Sequence, residues 1–193
     1  MKPLILSSSS PARRALLARL QMPFTITSPD VDETPLPGEE VKNMVLRLAE
    51  LKARKSAANF PDALIIGCDQ VGILDNTILT KPLTHENAVK QLKFMSGKMV
   101  RFFTGICLFD VKTEQTQLAV ETYDVYFRAL TDSMIKHYLH KDQPFNCAGS
   151  FHAEGLGIAL IEKFAGDDYT ALIGLPLIRL TEMLNKAGWD VLG

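Results

Sequence analysis

Residues 64–82, LIIGCDQVGILDNTILTKP, constrain the chain more than any other stretch. They open on a short apolar run, Leu64-Ile65-Ile66, followed by Gly67 and Cys68, and then by an acid, Asp69, where the run stops. A carboxylate at the end of a buried strand is costly unless something pairs with it or coordinates it. In sheets flanked by helices, ligand sites gather where strands end. Beyond Asp69, residues 71–74 and 77–79 flank Asp75-Asn76, the pattern of a tight hairpin, and Lys81-Pro82 follow. One segment therefore holds an acid and a base, which a strand, a turn and a returning strand would bring near each other.

The N-terminal segment has a related design. Leu4-Ile5-Leu6 reads as a buried strand, Ser7 to Ser10 as a turn, and Pro11 onward as a helix with Leu16, Leu17 and Leu20 inward. Ser10 suits an N-cap and Pro11 the first helical position. Free N–H groups, the positive dipole end and serine hydroxyls together make an anion site. Arg13 and Arg14 oppose the dipole there, so they are either solvated or matched to a phosphate.

A strand over residues 24–27 leads to a loop over 28–38 with three prolines and the acids Asp30, Asp32 and Glu33. This loop is either a solvated acidic stretch or a source of hard oxygen ligands for a cation. Residues 39–59 read as a helix with Val41, Met44, Val45, Leu48 and Leu51 inward and Lys52 beside that stripe. Thr84 caps a helix to about Met95, with Ala88, Leu92 and Met95 inward. Strands are expected over 100–108, broken at Thr104-Gly105, and over 118–127. Thr131 opens a further helix, on which His137 and His140 read as surface residues. A glycine-containing loop over 148–157 leads to a strand over 158–161, and a closing helix has Leu177, Ile178, Leu180, Thr181 and Leu184 inward.

With 193 residues the chain fits one domain or one domain with two lobes. A net charge of −1 gives no basic field to draw in nucleic acid, and no apolar run reaches the length of a membrane span. The three cysteines, Cys68, Cys107 and Cys147, are odd in number and far apart, which points to a reducing, cytoplasmic setting. The N-terminus carries no recognisable signal peptide. The residues offer a phosphate-cradling turn (7–14), acids (Glu33, Asp69) and lysines (Lys52, Lys81), which suits metal-assisted attack of water on a phosphoanhydride. Neither a GxxxxGK[ST] nor a GxGxxG pattern occurs.

The stretches Ser7-Ser8-Ser9-Ser10-Pro11-Ala12-Arg13-Arg14, Asp32-Glu33-Thr34-Pro35, Gly67-Cys68-Asp69-Gln70-Val71, Lys81-Pro82, Ala148-Gly149-Ser150 and Gly174-Leu175-Pro176-Leu177 together resemble the Maf family of nucleoside triphosphate pyrophosphatases. The resemblance spans nearly the whole chain and keeps the motif order. It implies a two-lobed α/β fold of Maf/ITPase type around a long mixed sheet, with one such domain over residues 1–193 and a nucleotide cleft between the lobes. It also implies a divalent cation, Mg or Mn, a nucleoside triphosphate substrate and a homodimer. In the resemblance Asp69 is the proton acceptor, Lys52 and Lys81 assist catalysis, Ser8 and Arg13 bind phosphates, and Glu33 and Asp69 hold the metal.

Gln70 and Glu154 resemble the branch of the family that acts on 7-methyl-GTP, and with Ala12 they occupy its specificity positions. Guanine presents two adjacent N–H donors that a carboxylate accepts together, whereas thymine and uracil present an acceptor–donor–acceptor edge. Phe151 is a stacking candidate or a loop anchor. Ala12 stands where the family usually has a larger or basic residue, and Thr80 where it has glycine. The alternatives are a dTTP or UTP pyrophosphatase of the same family and a non-catalytic nucleotide-binding regulator of cell division.

Overall fold

The computed structural model describes residues 2–193. Among them, seven strands form one mixed sheet: β1 (Leu4–Ser7), β2 (Thr25–Thr27), β3 (Leu64–Leu74), β4 (Thr77–Leu79), β5 (Met99–Asp110), β6 (Gln115–Phe127) and β7 (Ile161–Ala165). Their order is β2-β1-β3-β5-β6-β7, with β4 paired to β3. β1 runs parallel to β2 and β3, whereas β4 is antiparallel to β3 and β7 to β6. The helices are α1 (Pro11–Ala18), α2 (Val41–Ala57), α3 (His85–Met95), α4 (Asp132–Asp142), α5 (Tyr169–Ile173) and α6 (Leu177–Lys186). The α/β class read from the sequence holds. Among the described residues no helix is long and apolar enough to cross a membrane.

The chain forms two compact units. The first comprises the residues up to Gln70 with Thr104–Glu121 and Asp168–Gly193, and the second Val71–Phe103 with Thr122–Asp167. In the first unit, strand alternation divides the core into two layers. Leu64, Ile66 and Cys68 pack with Leu16 and Leu17 of α1 and Leu180 and Leu184 of α6. Ile65 packs with Ile5 and with Ala49 and Ala53 of α2. Two glycines let α2 lie close on the sheet. A Cβ at Gly67 would meet the Ala49 carbonyl oxygen at 2.0 Å, and one at Gly105 the Val45 carbonyl oxygen at 2.3 Å. Gly105 is thus a contact glycine inside the continuous strand β5, and the expected break at Thr104-Gly105 does not occur. Gly105→Ala should force α2 off the sheet and destabilise the protein by about 1–3 kcal/mol or more, read by urea denaturation.

Three other expectations are corrected by the packing. Leu51 and Ile178 are exposed, at 38% and 58%. The buried face of α2 instead takes in Ala49, Lys52, Ala53 and Ser56, and that of α6 takes in Met183. Asp69 does not end its strand. The parallel pairing with β1 ends at Ser7↔Gly67, but β3 runs on to pair with β4 through Leu74↔Thr77. The acid therefore lies just past the carboxyl end of β1, in mid-strand of β3.

In the second unit the β3–β4 hairpin turns through Asp75 and Asn76, both at positive φ (49° and 63°), as a two-residue turn of this twist requires. Thr84 and Thr131 cap α3 and α4 through their side chains, as expected. Residues 158–160 lie in a 3-10 turn (Leu156–Leu160), and β7 begins only at Ile161. Gly157 fixes that turn, because a Cβ there would meet the His152 carbonyl oxygen at 2.4 Å.

Candidate active site

Asp69 is 6% exposed, and its Oδ1 lies 2.6 Å from Lys52 Nζ. As an odd-numbered residue of β3 it turns to the α2 layer, where Lys52 sits in line with Leu48 and Ser56. Lys52 is 8% exposed, so the sequence placed it one step too far out, at the edge of the apolar stripe. Ser7 ties this part of the helix to the end of β1. Its Oγ donates to the Lys52 carbonyl at 2.8 Å and lies 2.8 Å from Ser56 Oγ. Burial pushes the Asp69 carboxyl above its ordinary value, and the Lys52 ammonium pulls the other way. Arg13 also lowers it and Glu33 raises it.

Lys52 Nζ also lies 2.6 Å from Glu33 Oε1, so two carboxylates converge on one ammonium. The acidic loop reaches Lys52 because it is buckled. Arg47 Nε and Nη2 donate to both oxygens of Glu39 at 2.6 and 2.7 Å, and Nη2 donates to the Thr34 carbonyl at 3.3 Å. Glu39 Oε2 accepts from Leu36 N–H, and Asp32 Oδ1 from Thr34 N–H. The Arg47 fork holds the Glu39 carboxyl down at about 2. Arg47 thus folds the acidic loop back onto α2. Among the described residues, no group of three or more His, Cys, Asp or Glu is placed to hold a metal ion. Two convergent carboxylates nonetheless fit a small divalent cation that takes one or two protein carboxylates and fills its other positions with phosphate oxygens and water.

The serine-rich turn folds as its residues dictate. Ser10 caps α1, its Oγ accepting from Arg13 N–H at 3.4 Å, and Ser8 Oγ accepts from Ser10 N–H at 3.2 Å. Ser8 is 8% exposed. Arg13 is not solvated. Its Nε donates to the Gly174 carbonyl at 2.8 Å, and its Nη1 to the Cys68 carbonyl at 2.9 Å and to Ser8 Oγ at 3.4 Å. The guanidinium is therefore oriented by the protein beside the carboxyl end of β1, while Arg14 is exposed and Ala12 half-buried. The cysteine before Asp69 is also accounted for. Cys68 Sγ donates to the Gly174 carbonyl at 2.9 Å, and burial pushes its thiol to about 11.

Gln70, two residues beyond Cys68 on the same face of β3, donates from Nε2 to Thr104 Oγ1 (2.9 Å) and to the carbonyls of Ala171 (2.8 Å) and Leu172 (2.9 Å). α5 is held in place by Asp168. Its Oδ1 accepts from Thr170 N–H and Oγ1, and its Oδ2 from Ile178 N–H in the first turn of α6. Asp-x-Thr ahead of an apolar run was the capping signal available for it.

The first unit thus brings together Ser8, Arg13, Glu33, Lys52, Asp69 and Gln70, whereas Lys81 and Glu154 belong to the second. Lys81 is exposed. Thr80 does not have positive φ, so this corner does not need glycine, and its carbonyl accepts from Gln91 Nε2 and Gly149 N–H. Glu154 is exposed, with Oε2 at 3.7 Å from His152 Nε2. Lys81 and Glu154 both act on the half-buried Cys147: burial is the main cause of its raised thiol, Glu154 adds to it and Lys81 opposes it. Phe151 is a loop anchor, 5% exposed and packed against Phe102 and Phe127, so it offers no stacking face.

A family model described as Maf-like protein matches residues 3–187, and the chain belongs to the Maf family. Its similarity extends to particular members. A protein of Methylobacillus flagellatus named 7-methyl-GTP pyrophosphatase is 56% identical over 192 residues, covering 100% of both chains. Proteins of the same name from Nitrosococcus oceani and Vibrio cholerae are 55% and 49% identical. Each match covers 98% of this chain, with 95% and 97% of the respective relative. Among solved structures, the Staphylococcus aureus Ham1 protein aligns with a TM-score of 0.48 at 15% identity, over 66% of this chain and 73% of that one, too slight a likeness to argue from.

Proposed function

We propose that the chain hydrolyses 7-methyl-GTP to 7-methyl-GMP and pyrophosphate, with Asp69 as the base. The observation that carries the reaction type is the buried Asp69 carboxylate, held by Lys52 beside Glu33 and the Ser8–Arg13 turn. The substrate is supported by the name shared by relatives 49–56% identical over 95–100% of their length.

In this reading a water molecule attacks the α-phosphorus. Its oxygen bonds to phosphorus, the bond from that phosphorus to the oxygen bridging to the β-phosphorus breaks, and pyrophosphate leaves. The water proton passes to Asp69. A carboxyl raised by burial is a better base than an exposed one, because its basicity lies closer to the working pH. Arg13 and Ser8 hold phosphate oxygens, and Lys52 and Lys81 offset their charge. A divalent cation, Mg or Mn, held by Asp69 and Glu33 when bound, would polarise phosphoryl oxygens. Ala12, Gln70 and Glu154 serve base recognition. The proposed setting is the cytoplasm, where the three cysteines stay reduced.

Turnover in heavy-oxygen water tests the site of attack. The label should appear in 7-methyl-GMP; label in pyrophosphate instead would place the attack at the β-phosphorus and overturn the mechanism. The pH profile tests the base. Asp69 works only when ionised, and its carboxyl is raised. The acid limb of kcat/KM should therefore fall through a midpoint above the ordinary carboxylate value. Lys52→Ala should move that midpoint further up, because it removes the largest opposing influence.

A further inference from the structure

Gln70 Nε2 has two hydrogens and three partners: the Thr104 hydroxyl, the Ala171 carbonyl and the Leu172 carbonyl. The two carbonyls only accept, so the amide cannot be reversed. Its oxygen would then face two carbonyl oxygens. Thr104 settles the rest. It is 1% exposed and donates its own hydroxyl proton to the Ala171 carbonyl at 2.8 Å, so towards Gln70 it can only accept. The carbonyls belong to the C-terminal end of a five-residue helix, where the ladder leaves acceptors short of donors. α5 is in turn fixed by Asp168 through Thr170 and the start of α6. The remaining polar atom of the half-buried Gln70 side chain, Oε1, has no partner among the described residues.

We propose that Thr104 is a positioning residue: as the third acceptor of the Gln70 amide it holds in place the polarity that the two carbonyls dictate, so that this side chain meets a nucleobase only as a hydrogen-bond acceptor. The consequence for specificity rests on the proposed hydrolysis of a 7-methylguanine nucleotide. An acceptor matches the adjacent N–H donors of a guanine edge. It mismatches the two carbonyl oxygens that flank the single donor of a uracil or thymine edge. A glutamate at this position would set a carboxylate against the Ala171 and Leu172 carbonyls, so Gln70 is not interchangeable with its acid.

The test has two arms. In the first, amide exchange of the Gln70 side-chain NH2 is followed by NMR, its signals assigned by their loss in Gln70→Leu. In the wild-type protein these protons should exchange at least about tenfold more slowly than those of exposed glutamines. In Thr104→Val they should exchange faster, with Thr104→Ser restoring the protection. In the second, kcat/KM is measured for 7-methyl-GTP and for UTP. Thr104→Val should lower the ratio about tenfold, and Thr104→Ser should recover it, whereas a merely structural loss would lower both values together. Unprotected Gln70 protons in the wild-type protein, or an unchanged ratio in a folded Thr104→Val variant, would overturn the proposal. If the wild-type protein hydrolyses neither nucleotide, the proposed function fails, and the exchange arm still decides the placing of Gln70.

Discussion

Asp69→Asn is expected to lower turnover of 7-methyl-GTP by about a hundred- to ten-thousand-fold, the range set by removal of a positioned general base. Its fold should survive. Asparagine keeps the shape and resembles the protonated acid, the form that burial favours at this position. A group whose folded pKa is raised contributes stability that is fully present below its unfolded pKa and is lost as pH rises through the folded pKa. The wild-type protein therefore loses this contribution as pH rises through the raised Asp69 value, whereas asparagine does not titrate. Relative to the wild-type protein, the variant should gain in melting temperature as pH rises through that value. Turnover measured beside thermal unfolding at neutral and acid pH checks both halves. A variant that is inactive because it is unfolded would not support a base.

Lys52→Ala should be the more damaging change to the fold. Lys52 is the common partner of Asp69 and Glu33, and its side chain is 10% exposed. Its removal leaves a buried carboxyl without its cation and a space against Leu48 and Ser56 on the inner face of α2. Breaking a buried pair from one side costs about 3–5 kcal/mol. In an Asp69→Asn background the same truncation should cost clearly less, because no buried carboxylate is stranded. A denaturant double-mutant cycle measures this coupling. Equal costs in the two backgrounds would mean that Lys52 acts by packing alone. Activity should fall as well, since Lys52 lies beside the acid on which the proposed chemistry depends.

Local patterns in the sequence were enough for the elements with local causes. The Asp75-Asn76 turn, the Ser10, Thr84 and Thr131 caps and the buried positions of α3 all follow from a few adjacent residues. What the sequence misplaced depends on which surface meets which. Gly105 looks like a strand break until α2 is seen to lie across it, with Val45 where a side chain would be. Leu51 fits an apolar stripe, yet the helix is turned so that Lys52 is inside, because the cation has two carboxylates to meet. Asp69 was recognisable as an acid out of place, but the strand's continuation past it depends on pairing with β4, across the hairpin.

The candidate site shows the same division. The motif residues were legible as types, and Ser8, Arg13, Glu33, Lys52 and Asp69 do gather at the carboxyl end of β1. Their supports were not legible, because they are contacts across long sequence separations. Gly174 holds Arg13, Arg47 holds the loop bearing Glu33, and Thr104 with α5 holds Gln70. In the anion turn the sequence did not reveal that backbone carbonyls orient Arg13.

A nucleotide panel with pyrophosphate detection, run on the full chain with added Mg or Mn, decides whether the protein hydrolyses 7-methyl-GTP. 7-Methyl-GTP should be the preferred substrate, 7-methyl-GMP and pyrophosphate should appear in equal amounts, and Asp69→Asn should be slower by about a hundredfold or more. Strong preference for dTTP or UTP, or saturable nucleotide binding without turnover under either metal, would contradict this assignment.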